Sequence, residues 1–251
     1  MVGLKEKISS KLLKPNSDPL NVVIVRPFSR QISTRLASTR VTPNQVTLAA
    51  LLSAIAASLV IVFFDSLVGA VLAALLIQLY LILDCADGEL ARLKGMKSDF
   101  GKWFDGVVDT VATGLLIAAF AFRAASIFGS DFGFALFSSD PALGGFFLSP
   151  AFAIALGFAA AIGFFTANFS YQYGELVFAK TRSETVNAAS AKSQGGLNFV
   201  SILKSFSPGG QMLLLTLGAV FSLHLLALAF YALWANAVWI ARVFKYRKMR
   251  G

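Results

Sequence analysis

Asp84, Asp87, Asp105 and Asp109 stand in the run DCADGELARLKGMKSDFGKWFDGVVD, between segments that otherwise look made for lipid. An ionised side chain at the centre of a bilayer costs on the order of 3 kcal/mol, so four left unpaired would cost roughly 10 kcal/mol. Their spacing indicates what offsets that cost. Asp84 and Asp87 are three apart and Asp105 and Asp109 four apart, so each pair shares one face of a helix. The short stretch between the pairs makes the two helices antiparallel neighbours, with the pairs facing each other near the inner membrane surface. Carboxylates so arranged repel strongly unless cations sit between them. Oxygen-only ligands suit hard cations such as Mg²⁺ or Mn²⁺, and with Cys85 and His224 each the sole residue of its type, no His or thiolate cluster argues for zinc.

Small residues flank the acids. Gly88, Ala91 and Gly101 leave room beside the carboxylates, and Arg92 adds a planar donor fork suited to phosphate oxygens. Together these features point to a phosphate-bearing substrate held through divalent cations. Singly, each has a plainer explanation: small residues pack membrane helices, and Arg92 and Lys94 obey the positive-inside rule.

Positioning falls to long apolar elements. The chain is 57% hydrophobic and only 14% charged, and the apolar residues come in blocks of membrane-spanning length. The blocks predict an all-α integral membrane protein with six transmembrane helices, near 44–65, 68–90, 102–123, 149–176, 208–224 and 226–243. The last two are divided only by a weak break near Leu223 to Leu225. Lys and Arg concentrate before residue 41, near 91–102 and 177–207, and after 241, with Arg123 as the exception. The rule that basic loops stay inside then puts both termini and the aspartates on the cytoplasmic side. The net charge of +9 is accounted for by topology and anionic lipid, and nothing resembles a nucleic-acid-binding domain.

The N-terminus lacks an apolar run, so no cleavable leader is expected. Ile24, Phe28, Ile32 and Leu36 recur every four residues while Arg26 and Arg30 take another face, which predicts a short amphipathic helix in the membrane interface; a solvated linker helix is the alternative. Thr42-Pro43 is a start signal for the first span. The chain thus divides into a cytoplasmic arm with its interfacial helix, 1–41, and a six-span domain, 42–251. The Gly-, Ser-, Pro- and Phe-rich loop near 124–148 is expected on the outer side along the membrane surface, and His224 reads as an interfacial or packed histidine.

Asp84-x-x-Asp87-Gly88-x-x-Ala91-Arg92, followed by Gly101-x-x-x-Asp105-x-x-x-Asp109, resembles the signature of the CDP-alcohol phosphotransferase family at every fixed position. The resemblance implies transfer of the alcohol phosphate from a CDP-alcohol donor to an acceptor alcohol, with release of CMP. It implies two divalent cations held by Asp84, Asp87, Asp105 and Asp109, with Asp109 also acting as base on the acceptor hydroxyl. Asp87, Gly88, Ala91, Arg92 and Gly101 would line the CDP site, and the family plan implies a homodimer, for which Gly157, Ala159, Ala160 and Ala161 offer small residues. Within the family, the stretches FSRQIS, TPNQVTL and ARLKGMKSDFGKWFD look most like the inositol-phosphate branch of di-myo-inositol phosphate phosphate synthases and phosphatidylinositol phosphate synthases. That points to an inositol phosphate acceptor read by basic residues among Arg26, Arg30, Arg40, Lys180 and Arg182. A phospholipid synthase using CDP-diacylglycerol or a CDP-archaeol-type lipid is the alternative within the family. A divalent cation transporter is the alternative outside it, and predicts carboxylates at the membrane midplane on broken helices.

Overall fold

The computed structural model describes residues 25–127, 149–189 and 208–248, and every regular element among them is helical. We number them α1 (Arg26–Ala37), α2 (Pro43–Phe63), α3 (Leu67–Lys94), α4 (Asp99–Ile127), α5 (Pro150–Ala189), α6 (Pro208–Val220) and α7 (His224–Lys248). Five of these, α2, α3, α4, α5 and α7, are long and apolar enough to cross a membrane. With 13 residues, α6 rises only about 20 Å, short of the roughly 30 Å hydrocarbon layer. The outer loop from 128 to 148, the stretch 190–207 and the arm before 25, with Ile24, lie outside the described residues.

Local chemistry sets the boundaries that matter for the aspartates. Thr42 and Gln45 form a reciprocal capping box at the start of α2, with Pro43 in the first turn. Ser66 caps α3 by accepting the Gly69 N–H at 3.0 Å. Gly95 ends α3 in the left-handed conformation at φ 67°, and Ser98 then accepts the Gly101 N–H at 3.0 Å to open α4. Residues 95–98 are therefore all that separates the two aspartate-bearing helices. No proline interrupts residues 151–207, and α5 runs on to Ala189, into the stretch expected to be an inner loop. The weak break between the last two apolar blocks falls at Ser222, a non-glycine residue at φ 53°: Ser222 N–H donates to Ala219 and Leu223 N–H to Gly218, the paired bonds of a Schellman turn.

Among the described residues many interior positions are alanines, packed beside larger side chains such as Phe120 and Leu116, and much of the exterior is large and apolar. Ala50, Ala54, Ala57, Ala73, Ala112 and Ala160 are buried, whereas Leu52, Leu59, Phe63, Leu75 and Leu233 face outward. In lipid the exterior need not be polar, so small residues go where backbones approach closely. Gly157 of α5 shows how close: a β-carbon there would collide with that of Ala121 on α4. Gly157 and Ala160 are thus used within the chain. Polar cross-links join the apolar helices, including Gln78 to Thr216 at 2.6 Å, Tyr231 to Gln211 at 2.7 Å and Asn236 to the Ala159 carbonyl at 3.0 Å.

α2 packs extensively against both α3 and α4, while α3 and α4 make almost no direct backbone approach to each other. α2 is therefore a wedge. It holds the aspartate helices apart and leaves a cleft between them.

Candidate active site

Along α3, Tyr80, Asp84, Asp87 and Ala91 recur at i, i+4, i+7 and i+11, one stripe on one face. Asp105 and Asp109 share a face of α4 across the cleft. One carboxylate oxygen from each of Asp84, Asp105 and Asp109 lies within 4.8 Å of the others. This donor set is oxygen-only and rich in negative charge, so it fits a hard divalent cation. Asp109 is further held by Tyr80, whose buried hydroxyl donates to its Oδ1 at 3.0 Å. Asp87 is turned toward α2, where the Thr47 hydroxyl donates to its Oδ2 at 2.5 Å; both residues are buried.

A cavity of about 440 Å³ opens beside the carboxylates, within the usual range for small-molecule sites. Asp87, Gly88, Ala91, Arg92, Gly101 and Asp105 all line it, so the residues expected around a diphosphate share one space. Asn44 and Thr47 contribute α2's side, and Lys97, Ser98 and Lys102 the turn between α3 and α4. The two glycines act differently there. The Arg92 guanidinium lies over Gly88, 3.6 Å from where a β-carbon would stand, whereas at Gly101 that atom would press on Ser98 Oγ at 3.1 Å and Asn44 at 3.4 Å. Lys94 stays out of the cavity; its ammonium donates to the Thr39 and Val41 carbonyls at 2.7 Å each and ties the α1–α2 linker to the end of α3.

The basic residues expected to read an acceptor do not line this cavity among the described side chains. Arg40 is exposed on the linker and Arg30 is half-buried on α1. Arg26 is buried, with its guanidinium 3.7 Å from Glu89 of α3. Lys180 and Arg182 fall on the far part of α5, and their side chains lie outside the described residues.

Glu89 was the least anticipated part of the site, because it occupies an unspecified place in the motif. It is 1% exposed and accepts hydrogen bonds from Ser29 at 3.1 Å and Ser33 at 3.0 Å, both on α1. The buried face of α1 is accordingly Arg26, Ser29 and Ser33, a polar stripe, with Ile32 and Leu36 packed beside it near Ala86 and Leu90 and Phe28 turned outward. The 26-29-33 spacing is present in the sequence, but the repeat of Ile24, Phe28, Ile32 and Leu36 is the stronger periodic signal. Thr47 had no signal beyond lying one turn after Pro43 and Asn44, whereas Tyr80 had one, four residues ahead of Asp84.

A cleft between two aspartate-bearing helices, with an arginine and glycines beside the acids, has the donors to hold a divalent cation and to meet a phosphate. A sequence model of CDP-alcohol phosphatidyltransferases matches residues 40–241, and the chain belongs to that family. That family is one of transferases that use a CDP-alcohol donor and an alcohol acceptor, and five helices of this chain are long and apolar enough to cross a membrane. Membership of this family supports a transferase over the cation-transporter alternative. Among similar proteins, the "Bifunctional IPC transferase and DIPP synthase" of Thermococcus kodakarensis is 37% identical over 102 residues, covering 39% of this chain and 22% of the relative. The protein of the same name from Aquifex aeolicus is 35% identical over 101 residues, with the same coverage. The match thus spans about a fifth of either relative's length.

Proposed function

We propose that the chain transfers the phosphoalcohol group of a CDP-alcohol to a hydroxyl of an inositol phosphate and releases CMP, at a site facing the cytoplasm. The observation that carries this reading is the convergence of Asp84, Asp105 and Asp109 beside a cavity lined by Gly88, Ala91, Arg92 and Gly101. In the proposed reaction the acceptor hydroxyl gives its proton to the Asp109 carboxylate as its oxygen forms a bond to the transferred phosphorus. The bond from that phosphorus to the bridging oxygen breaks, and CMP departs with the electron pair. Tyr80 keeps Asp109 turned toward the cleft, Thr47 fixes Asp87, and Arg92 meets the diphosphate oxygens. Two divalent cations, Mg²⁺ or Mn²⁺, held by Asp84, Asp87, Asp105 and Asp109, would neutralise the diphosphate and stabilise the leaving CMP.

The inositol phosphate acceptor is supported by the three sequence stretches and by the names of the two relatives. Its phosphate would be read by basic residues among Arg26, Arg30, Arg40, Lys180 and Arg182. The clustering of Lys and Arg supports six spans with both termini and the active site inside, α1 at the inner interface and a division at about residue 41. A homodimer completes the reading.

One observation favours a CDP-lipid donor as a second reading. Met96, Phe100 and Trp103 are exposed beside the cavity, where acyl chains would need apolar surface. The test is CMP release by the purified protein with Mg²⁺ or Mn²⁺, pairing CDP-inositol or CDP-diacylglycerol with inositol phosphate, inositol, glycerol phosphate and serine. CDP-inositol with inositol phosphate should be productive, and Asp109→Asn should abolish it. Release with CDP-diacylglycerol alone would replace the first reading by the second, and release undiminished in Asp109→Asn would remove the base from its role.

A further inference from the structure

α3 and α4 carry the aspartates but hardly approach each other along their backbones. Side chains must therefore set the width of the cleft between them. Tyr80 of α3 reaches across it, and its hydroxyl donates to Asp109 Oδ1 of α4 at 3.0 Å. A phenol has one proton to give, so a second hydrogen bond at that oxygen is one that it accepts. The second partner is Thr113, one turn beyond Asp109 on the same helix, and its hydroxyl is accordingly the donor to Tyr80.

Both residues are buried, Tyr80 at 3% and Thr113 at 4% exposure. The hydroxyls of Thr47, Thr110, Thr166 and Thr216 donate to the carbonyl four residues back in their own helices. Thr113 turns instead to a tyrosine of the neighbouring helix. The Tyr80 ring lies in the main buried cluster with Ile77, Ala112 and Leu116, and a close-packed interior leaves it no room to swing. A rigid ring is thus seated in α3's surroundings at one end and held by two residues of α4 at the other.

We propose that Thr113 is a positioning residue of the aspartate site: with Asp109 it grips the Tyr80 hydroxyl, and the Tyr80 ring is then a strut that sets how far α3 and α4 stand apart where Asp84 faces Asp105 and Asp109. α2 keeps the two helices from closing, and the strut keeps them from parting. The span matters because the three acids offer oxygens within 4.8 Å of one another from two different helices, and a small hard cation held from both sides tolerates little change in it. This role rests on the reading of the aspartates as the cation site of the transfer reaction.

The full chain in detergent is titrated with Mn²⁺, bound metal is read by electron paramagnetic resonance, and CMP release is measured on the same samples. Thr113→Val keeps the side-chain shape and removes the hydroxyl. Its Mn²⁺ affinity should fall about tenfold or more, the range for residues that orient metal ligands, while Thr113→Ser should bind as the wild type does. Tyr80→Phe should lower affinity by a similar factor, and adding Thr113→Val to it should lower it no further, because no hydroxyl is left to grip. A residue that only packs would act equally in both backgrounds. Should Thr113→Val fail to fold, Thr113→Ala takes its place in the cycle. Unchanged Mn²⁺ affinity in Thr113→Val, the same loss with and without the Tyr80 hydroxyl, or a wild-type chain that binds no Mn²⁺ overturns the proposal. The two readings fail separately. Mn²⁺ binding with the expected dependence but no CMP from any donor and acceptor pair leaves the strut and removes the proposed transfer, whereas CMP release with Mn²⁺ affinity indifferent to Thr113 leaves the transfer and removes the strut.

Discussion

Tyr80 and Thr47 do at residue scale what the aspartates cannot do for themselves. A carboxylate surrounded by other carboxylates is pushed to rotate away, and one hydroxyl donor per acid holds Asp109 and Asp87 in place. Tyr80→Phe should leave the fold intact and lower kcat for CMP release by about tenfold, the effect of one lost hydrogen bond to a charged group. A structural role alone would lower the thermal midpoint and leave kcat unchanged. Thr47→Val keeps the shape of the side chain and removes its donor. The Mg²⁺ concentration for half-maximal activity should then rise about 10- to 100-fold, as for other residues that orient metal ligands.

At the scale of elements, Glu89 makes α1 part of the site's frame. A single buried carboxylate gathers Ser29, Ser33 and Arg26 and fastens α1 to α3 one residue from Gly88. Glu89→Ala leaves Arg26 buried without its counter-ion and should cost about 3 kcal/mol or more, read as a lowered thermal midpoint and faster proteolysis within α1. Replacing Arg26 by Met in the same chain should recover part of that loss, because the stranded charge is then gone. No recovery would mean that Glu89 acts through the serines alone. α2 is the other framing element, since its packing on both neighbours keeps the cleft open.

At the scale of the whole molecule, the described interior mixes many alanines with large side chains such as Phe120, Leu116 and Tyr231, while many leucines and phenylalanines face outward. Where small residues meet, helices lie close because little stands between them, so enlarging one interior residue should act at a distance. Gly157→Val would press on Ala121 and force α5 away from α4, the helix that carries Asp105 and Asp109. We expect a lower thermal midpoint by circular dichroism together with reduced CMP release, although Gly157 is far from the aspartates along the fold. Gly106→Ala, where a β-carbon meets nothing within 4 Å inside α4, should leave the midpoint unchanged or raise it slightly and serves as the control.

Sequence alone marked the class of element, the start of the first span at Thr42-Pro43, and Asp84, Asp87, Asp105 and Asp109 as the residues to bring together. Periodicity, capping residues and the cost of charge in lipid act along a single chain segment, so they can be read from one. Gly88, Ala91, Arg92 and Gly101 were legible as neighbours of the acids for the same reason. Only the tertiary structure decided that α2 separates the aspartate helices, that Thr47 belongs to Asp87, and that Glu89 binds the polar face of α1 instead of lining the cleft. These are contacts between residues some 40 and 60 positions apart, as the Thr47–Asp87 and Ser29–Glu89 bonds record. A polar side chain at an unspecified place in a motif looks the same in sequence whether it meets substrate or another helix; which it does is settled by packing, because only packing determines what stands opposite.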